Sequence, residues 1–235
     1  MKYRKMVLWV ILAVVAAWSL PAASQVSPEI GVSFAHATAR HNGTWYQRAF
    51  PHTLKLNNPS LLAGLRYDVN DNWTTHADLI WFGHYSSDAW AIPNDPAYNP
   101  ETDSCVGPCL PRAHYIGNGW IGAFKLTLGW HTQGPWQFGV NAGPIRYRTA
   151  WRLYVPDWYT ADLQDDGSWV VKYRVPISTS DIRWAMGYTA GVSVTHGQWE
   201  FALNWYRDGG GFPGHNGAWP PIWRWHTTLG IVKRF

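Results

Sequence analysis

The chain has 235 residues, 19 Lys+Arg against 15 Asp+Glu, only 14% charged residues overall, and 18 tryptophans. Three of the cations, Lys2, Arg4 and Lys5, stand at the extreme N-terminus, so the rest is nearly balanced and lacks the basic patch that nucleic-acid binding needs. After the first apolar run no second long one occurs, which excludes a transmembrane helix.

Residues 1–24 read as a secretory signal peptide. The cations are followed by an apolar run over 6–20 and then by the small residues Ala22, Ala23 and Ser24, with cleavage expected after Ser24. The run is shorter than the roughly 20 residues of a spanning helix, which argues against an N-terminal anchor. Residues 25–235 then form the mature domain.

Beyond the signal, alternation with a period of two replaces helical periodicity. Residues 29–40 alternate Ile30, Val32 and Phe34 with small or polar neighbours. Residues 60–69 share Leu61, Leu65, Tyr67 and Val69 on one face, and Asn70-Asp71-Asn72 is a turn cluster. From 73 to 85 one face carries Trp73, Leu79, Trp81 and Tyr85, and the other His76, Asp78 and His84. A long polar segment follows, with Cys105 and Cys109 in "SCVGPCLP". A secreted chain takes such a pair as a local disulfide. No metal is expected, because no His pair or second Cys pair stands at ligand spacing.

Residues 120–130, "WIGAFKLTLGW", place Trp120, Phe124, Leu126, Leu128 and Trp130 together, with Lys125 opposite. Residues 136–151 begin with Trp136, Phe138 and Val140 on one face. Pro144 is expected to shift the phase through a bulge, so that Ile145, Tyr147 and Trp151 take over the apolar face. Residues 183–195 align Trp184, Met186, Tyr188 and Val192. Residues 199–206 align Trp199, Phe201, Leu203 and Trp205, and the last strand runs over 222–235.

The connections between these eight strands alternate strictly between long and short. Each short turn delivers a tryptophan, Trp73, Trp136 or Trp199, as the first residue of the next strand. This sorting predicts an all-β, eight-stranded antiparallel up-and-down transmembrane β-barrel with short periplasmic turns and long extracellular loops. Ten steps from Trp120 to Trp130, at about 3.3 Å each and tilted about 40°, rise roughly 25 Å, the height of the apolar band in such barrels. Indole rings prefer the two borders of that band. Trp73, Trp130, Trp136 and Trp199 are expected at the periplasmic border. Trp120, Trp151, Trp184, Trp205 and Trp223 are expected at the outer one. The structural rival is a soluble lipocalin-like ligand-binding barrel with its apolar face turned inward.

The segment "TTLGIVKRF", with Gly230 and the aromatic Phe235, resembles the assembly signature of bacterial outer-membrane barrels, except that Lys233 replaces an aromatic or apolar residue. With the signal and the eight strands, the chain resembles small outer-membrane barrels of the OmpA, OmpX and opacity-protein kind. The resemblance implies residence in the bacterial outer membrane among its lipid and lipopolysaccharide. It also implies passage through the barrel assembly machinery as a client.

Arg66, Asp68, Asp78, Lys125, Glu200 and Arg224, with His76, His84 and His226, are expected on the inward face. Both signs are present, so a salt-bridged plug is the expectation rather than a conduit. "FGHYSSDAW" contains His84-x-Ser86, which is similar to the His-x-Ser segment of outer-membrane lipid A deacylases. There the His is the base, the Ser the nucleophile, and a downstream Glu orients the His. Here Ser87-Asp88 replaces the family's Asn, and the alternation places His84 and Ser86 toward the lumen, away from acyl chains. No nucleotide, phosphate-loop or zinc-protease fingerprint occurs, so no cofactor is expected. The reading is a monomeric, non-enzymatic barrel whose long loops (41–59, 86–118, 152–181, 208–220) serve structure, adhesion or recognition of a host or surface ligand.

Overall fold

A computed structural model describes residues 26–38, 51–92, 98–99, 102, 104–105, 110–173, 175–208 and 225–235. The signal segment 1–24, Cys109, Trp223 and Arg224 lie outside the described residues. The expected disulfide and two of the expected side-chain positions fall there with them.

Eight long strands build the molecule: β1 Val26–Thr38, β2 Asn57–Asp68, β3 Trp73–Ala91, β4 Ala113–His131, β5 Trp136–Val155, β6 Ile177–His196, β7 Trp199–Asp208 and β8 Trp225–Arg234. Each pairs antiparallel with its neighbours in sequence, and β8 pairs with β1. The sheet is therefore a closed ring, and closure removes every edge along the paired length. The ring is staggered. Paired residues followed from Trp81 through Leu61, Val32, Ile231, Phe201, Val194 and Phe138 descend from mid-strand to the short-turn end. That tilt is what closing eight strands requires.

The short turns are fixed locally. Asn70 Oδ1 accepts from the backbone N–H of Asn72 and of Trp73, both at 3.0 Å, and the Val69 N–H donates to the Trp73 carbonyl at 2.8 Å. An Asn side chain substituting for a backbone acceptor is the reason such clusters turn.

The alternation resolves into an apolar outside and a mixed inside. Ile30, Val32, Phe34, Leu61, Leu79, Phe124, Leu126, Leu128, Phe138, Val140, Val192, Phe201 and Leu229 are all exposed. This orientation is the reverse of what a soluble ligand-binding barrel needs. Large contiguous apolar surface on a monomer marks a partner or a lipid phase. Here it girdles the whole ring, as in a membrane-spanning barrel.

Two phase assignments differ from the sequence expectation. β3 carries a bulge between Trp81 and Gly83: Trp81 pairs with Gly122 and Gly83 with Ile121, leaving Phe82 as the extra residue. Gly83 has φ 99°, and a Cβ there would lie 2.5 Å from Asn58 Cβ, so only glycine fits. Beyond the bulge the inward residues become Tyr85, Ser87, Ala89 and Ala91. Conversely, β5 runs through Pro144 without any register shift: its ladder to β6 is unbroken, and its ladder to β4 lapses at Gly143 and Pro144 and resumes in the same register. Pro144 faces outward, as do Arg146 and Arg152, while Ile145, Tyr147 and Trp151 are buried inside. A proline is tolerated there without a bulge where its missing N–H is not needed by the ladder.

The expected loops at 86–118 and 152–181 are in large part strand. β3 and β4 stay paired out to Ala91 and Ala113, and β5 and β6 out to Val155 and Ile177. A further hairpin of Tyr159–Leu163 with Trp169–Tyr173 extends beyond them. The strand His52–Lys55 adds to the outer part of β3.

Candidate functional site

The lumen is layered. Toward the short turns it is ionic. Arg66 Nε stands 2.6 Å from Asp68 Oδ1, and its Nη1 is 3.9 Å from Glu200 Oε2. Arg234 Nη2 donates to Thr195 Oγ1 at 2.7 Å and to Glu200 Oε2 at 3.4 Å. An open vestibule of about 850 Å3 leads to this layer, lined by Asn70, Gln133 and Gln137 among others. Above it Lys125 Nζ meets Asp78 Oδ2 at 2.8 Å, and His76 Nδ1 meets Glu29 Oε1 at 2.9 Å. The space between the two layers, lined by Thr74, His76, Asn141 and Glu200, is only about 20 Å3. That is room for about one water molecule, and it makes this stretch a plug.

Glu29, His76 and Asp78 each bring one ligand atom within 4.8 Å of the others. The Lys125 ammonium on Asp78 already supplies the cation at that spot, and a buried carboxylate satisfied in this way has no need of a metal.

Toward the long-loop end the lumen changes character. Phe82 lies edge-on to Tyr206 at 5.0 Å and 4.7 Å from the His226 ring, and Tyr147 is 6.1 Å away. Tyr85, Tyr115 and Trp151 are buried in the same interior. Trp151 faces Gly119 across the β4–β5 ladder, where a Cβ would come within 2.7 Å of the indole. This aromatic half was not foreseen. Its sequence signal was the pair Gly117 and Gly119 at inward positions of β4, which leaves a slot for a large neighbour.

Of the expected inward charges, Arg66, Asp68, Asp78, Lys125 and Glu200 belong to the ionic layers. Glu29 and Arg234 join them. Glu29 alternates with Gly31, Ser33 and Ala35 on the inward face of β1, a pattern readable once strand phase is known.

The tryptophans sort by face. Trp73, Trp130, Trp136 and Trp199 are exposed near the short turns, and Trp184 and Trp205 point outward nearer the other end; Trp120 is half-buried on that same outward face. Trp151, only 5% exposed, is the correction: it belongs to the interior and not to the outer border. Lys233 points outward over the rings of Trp199, at 5.5 Å, and Phe235, at 4.8 Å. Gly230 is paired with Ser33 and Ala202.

His84 is the second correction. The bulge turns it outward, with Ser86 on the same side, so neither faces the lumen. Asp88 follows on that face, and its carboxylate holds His114 Nε2 at 2.8 Å, while the His114 ring stacks on Trp90. No hydrogen bond joins His84 to Ser86 among the described contacts.

No protein-family model matches the chain, and no curated protein matches it. Among solved structures it is similar to Ail, the attachment invasion locus protein of Yersinia pestis, at 10% identity and TM-score 0.45, covering 90% of this chain and 99% of that one. It is also similar to the outer membrane protein OprG of Pseudomonas aeruginosa, at 12% identity and TM-score 0.43, covering 90% and 96%. A third is Neisserial surface protein A, at 10% identity and TM-score 0.40, covering 89% and 95%.

Proposed function

We propose that the chain is an integral protein of the bacterial outer membrane, without catalytic activity, whose long-loop end serves adhesion or surface recognition. The observation that carries the membrane reading is the closed ring with a band of exposed apolar side chains around its exterior, bordered by outward tryptophans. In water that surface would drive aggregation; in a bilayer it is the spanning face. The plugged lumen supports a role outside transport.

Recognition is supported by the extension above the band. Leu163, Val170, Tyr173 and Val175 are exposed on or beside the protruding hairpin, Tyr173 by 71%. Apolar and aromatic side chains held on a paired strand hairpin, with Asp165 and Asp166 beside them, form a surface suited to a protein partner. The proposal includes secretion by residues 1–24, passage through the assembly machinery, and a monomeric barrel. Fractionation of expressing cells tests it. The protein should be recovered with outer membranes and migrate differently on gels before and after boiling, and recovery as a soluble periplasmic or secreted product would remove the reading. Replacing residues 159–173 by a short turn should abolish surface attachment while that gel shift persists.

A further inference from the structure

The outward face of β5 breaks the apolar rule. Beyond Pro144 its outward positions are Arg146, Arg148, Ala150, Arg152 and Tyr154. The Arg146 guanidinium lies 4.8 Å over the Trp184 ring. That of Arg148 lies 4.6 Å over Trp120 and 5.9 Å from Trp184. Arg152 stands further toward the loops on the same face.

None of the three has a carboxylate partner among the described residues. The alternate outward positions on the flanking strands, from His114 to Phe124 and from Ser178 to Tyr188, include no Asp or Glu. Asp88, on the next strand, is taken by His114. The contrast is Arg207, which stacks at 4.8 Å over Trp225 and donates to Tyr188 Oη at 2.9 Å.

Unpaired cations at the border of a hydrocarbon layer are costly unless an anion meets them. Guanidinium forks match phosphate oxygens in bidentate fashion, and stacking on indole fixes the plane of the fork. We propose that Arg146 and Arg148, seated on Trp120 and Trp184, together with Arg152 further along the same face, bind the phosphates of a glycolipid headgroup in the outer leaflet. This rests on the outer-membrane reading, with the long-loop end facing outward.

The test uses the full chain folded in neutral detergent micelles, with the boiling-dependent gel shift confirming the fold. Purified rough lipopolysaccharide and the same lipid stripped of its phosphates are titrated in parallel. The wild type should bind the phosphorylated lipid far more tightly, and the preference should shrink in high salt. With each arginine worth roughly fivefold at an anionic surface, the combined Arg146→Gln, Arg148→Gln and Arg152→Gln variant should lose on the order of a hundredfold. Lys172→Gln on the outer hairpin should lose nothing. Equal wild-type affinity for the two lipids would overturn the proposal, as would a folded triple variant that binds like the wild type. If the triple variant does not fold, Arg152→Gln, which has no ring beneath it among the described residues, takes its place, and unchanged binding by it counts against the proposal equally. A protein that never enters micelles would instead overturn the membrane reading beneath it.

Discussion

Lys125 and Asp78 face each other across the β3–β4 ladder, Nζ to Oδ2 at 2.8 Å, both all but sealed from solvent. A pair in that position holds two strands of the ring together only while both members are present. Lys125→Met alone leaves a buried carboxylate unpaired, and Asp78→Leu alone leaves a buried ammonium. Each should destabilise the barrel by about 3–5 kcal/mol. The double variant should recover most of the loss. Urea midpoints of the micelle-folded protein measure all three, and additive losses in the double variant would contradict the pairing.

Trp151 and Trp120 are separated by the wall of the barrel. Trp151→Ala opens a cavity against Gly119 and should cost about 3–5 kcal/mol. Trp120→Ala removes an outward ring that touches the Arg148 guanidinium, and should cost about 1 kcal/mol at most. The ratio of the two unfolding midpoints checks which indole is interior.

The bulge at Phe82–Gly83 depends on a backbone that a side chain cannot adopt without strain. Gly83→Val should destabilise by roughly 1–3 kcal/mol through φ alone, with more from the contact to Asn58. It should also move His84 back toward the lumen, and amide exchange at the outer part of β3 should rise. Unchanged stability would show that the bulge is not held by this residue.

Much of this architecture is legible in the residues. The strict alternation of β4, the three tryptophans after short turns and the sorting of connections by length give strand number, closure and orientation. What escapes is phase within a strand. At Pro144 the apolar residues 145, 147 and 151 read as a lipid face only if the outward row is apolar throughout. They are inward, since the long-loop half of the lumen is itself aromatic and the outward row there is arginine. At Gly83 a single glycine in an apolar strand gave little warning of a bulge. Its consequence was the misplacing of His84. Glu29 went unnamed because a lone carboxylate in a strand has no sequence-visible partner; His76 finds it only through the fold.

The outward placement of His84 and Ser86 also gives the esterase alternative a direct check. Expression of the wild type should leave lipid A acylation unchanged by mass spectrometry, and His84→Ala with Ser86→Ala should alter nothing. Loss of an acyl chain that depends on both residues would replace the non-enzymatic reading.

Leu126 and Thr127 are neighbours on β4, one 46% exposed and the other 5%. They are the sharpest place to ask which side of the wall meets lipid. Nitroxide labels can be placed one at a time on cysteines at 126 and 127, in a Cys105→Ser, Cys109→Ser background reconstituted in bilayers. The label at 126 should relax strongly with oxygen and hardly at all with a water-soluble nickel complex, while the label at 127 should respond weakly to both. A label at 126 more accessible to nickel than to oxygen would contradict the spanning barrel.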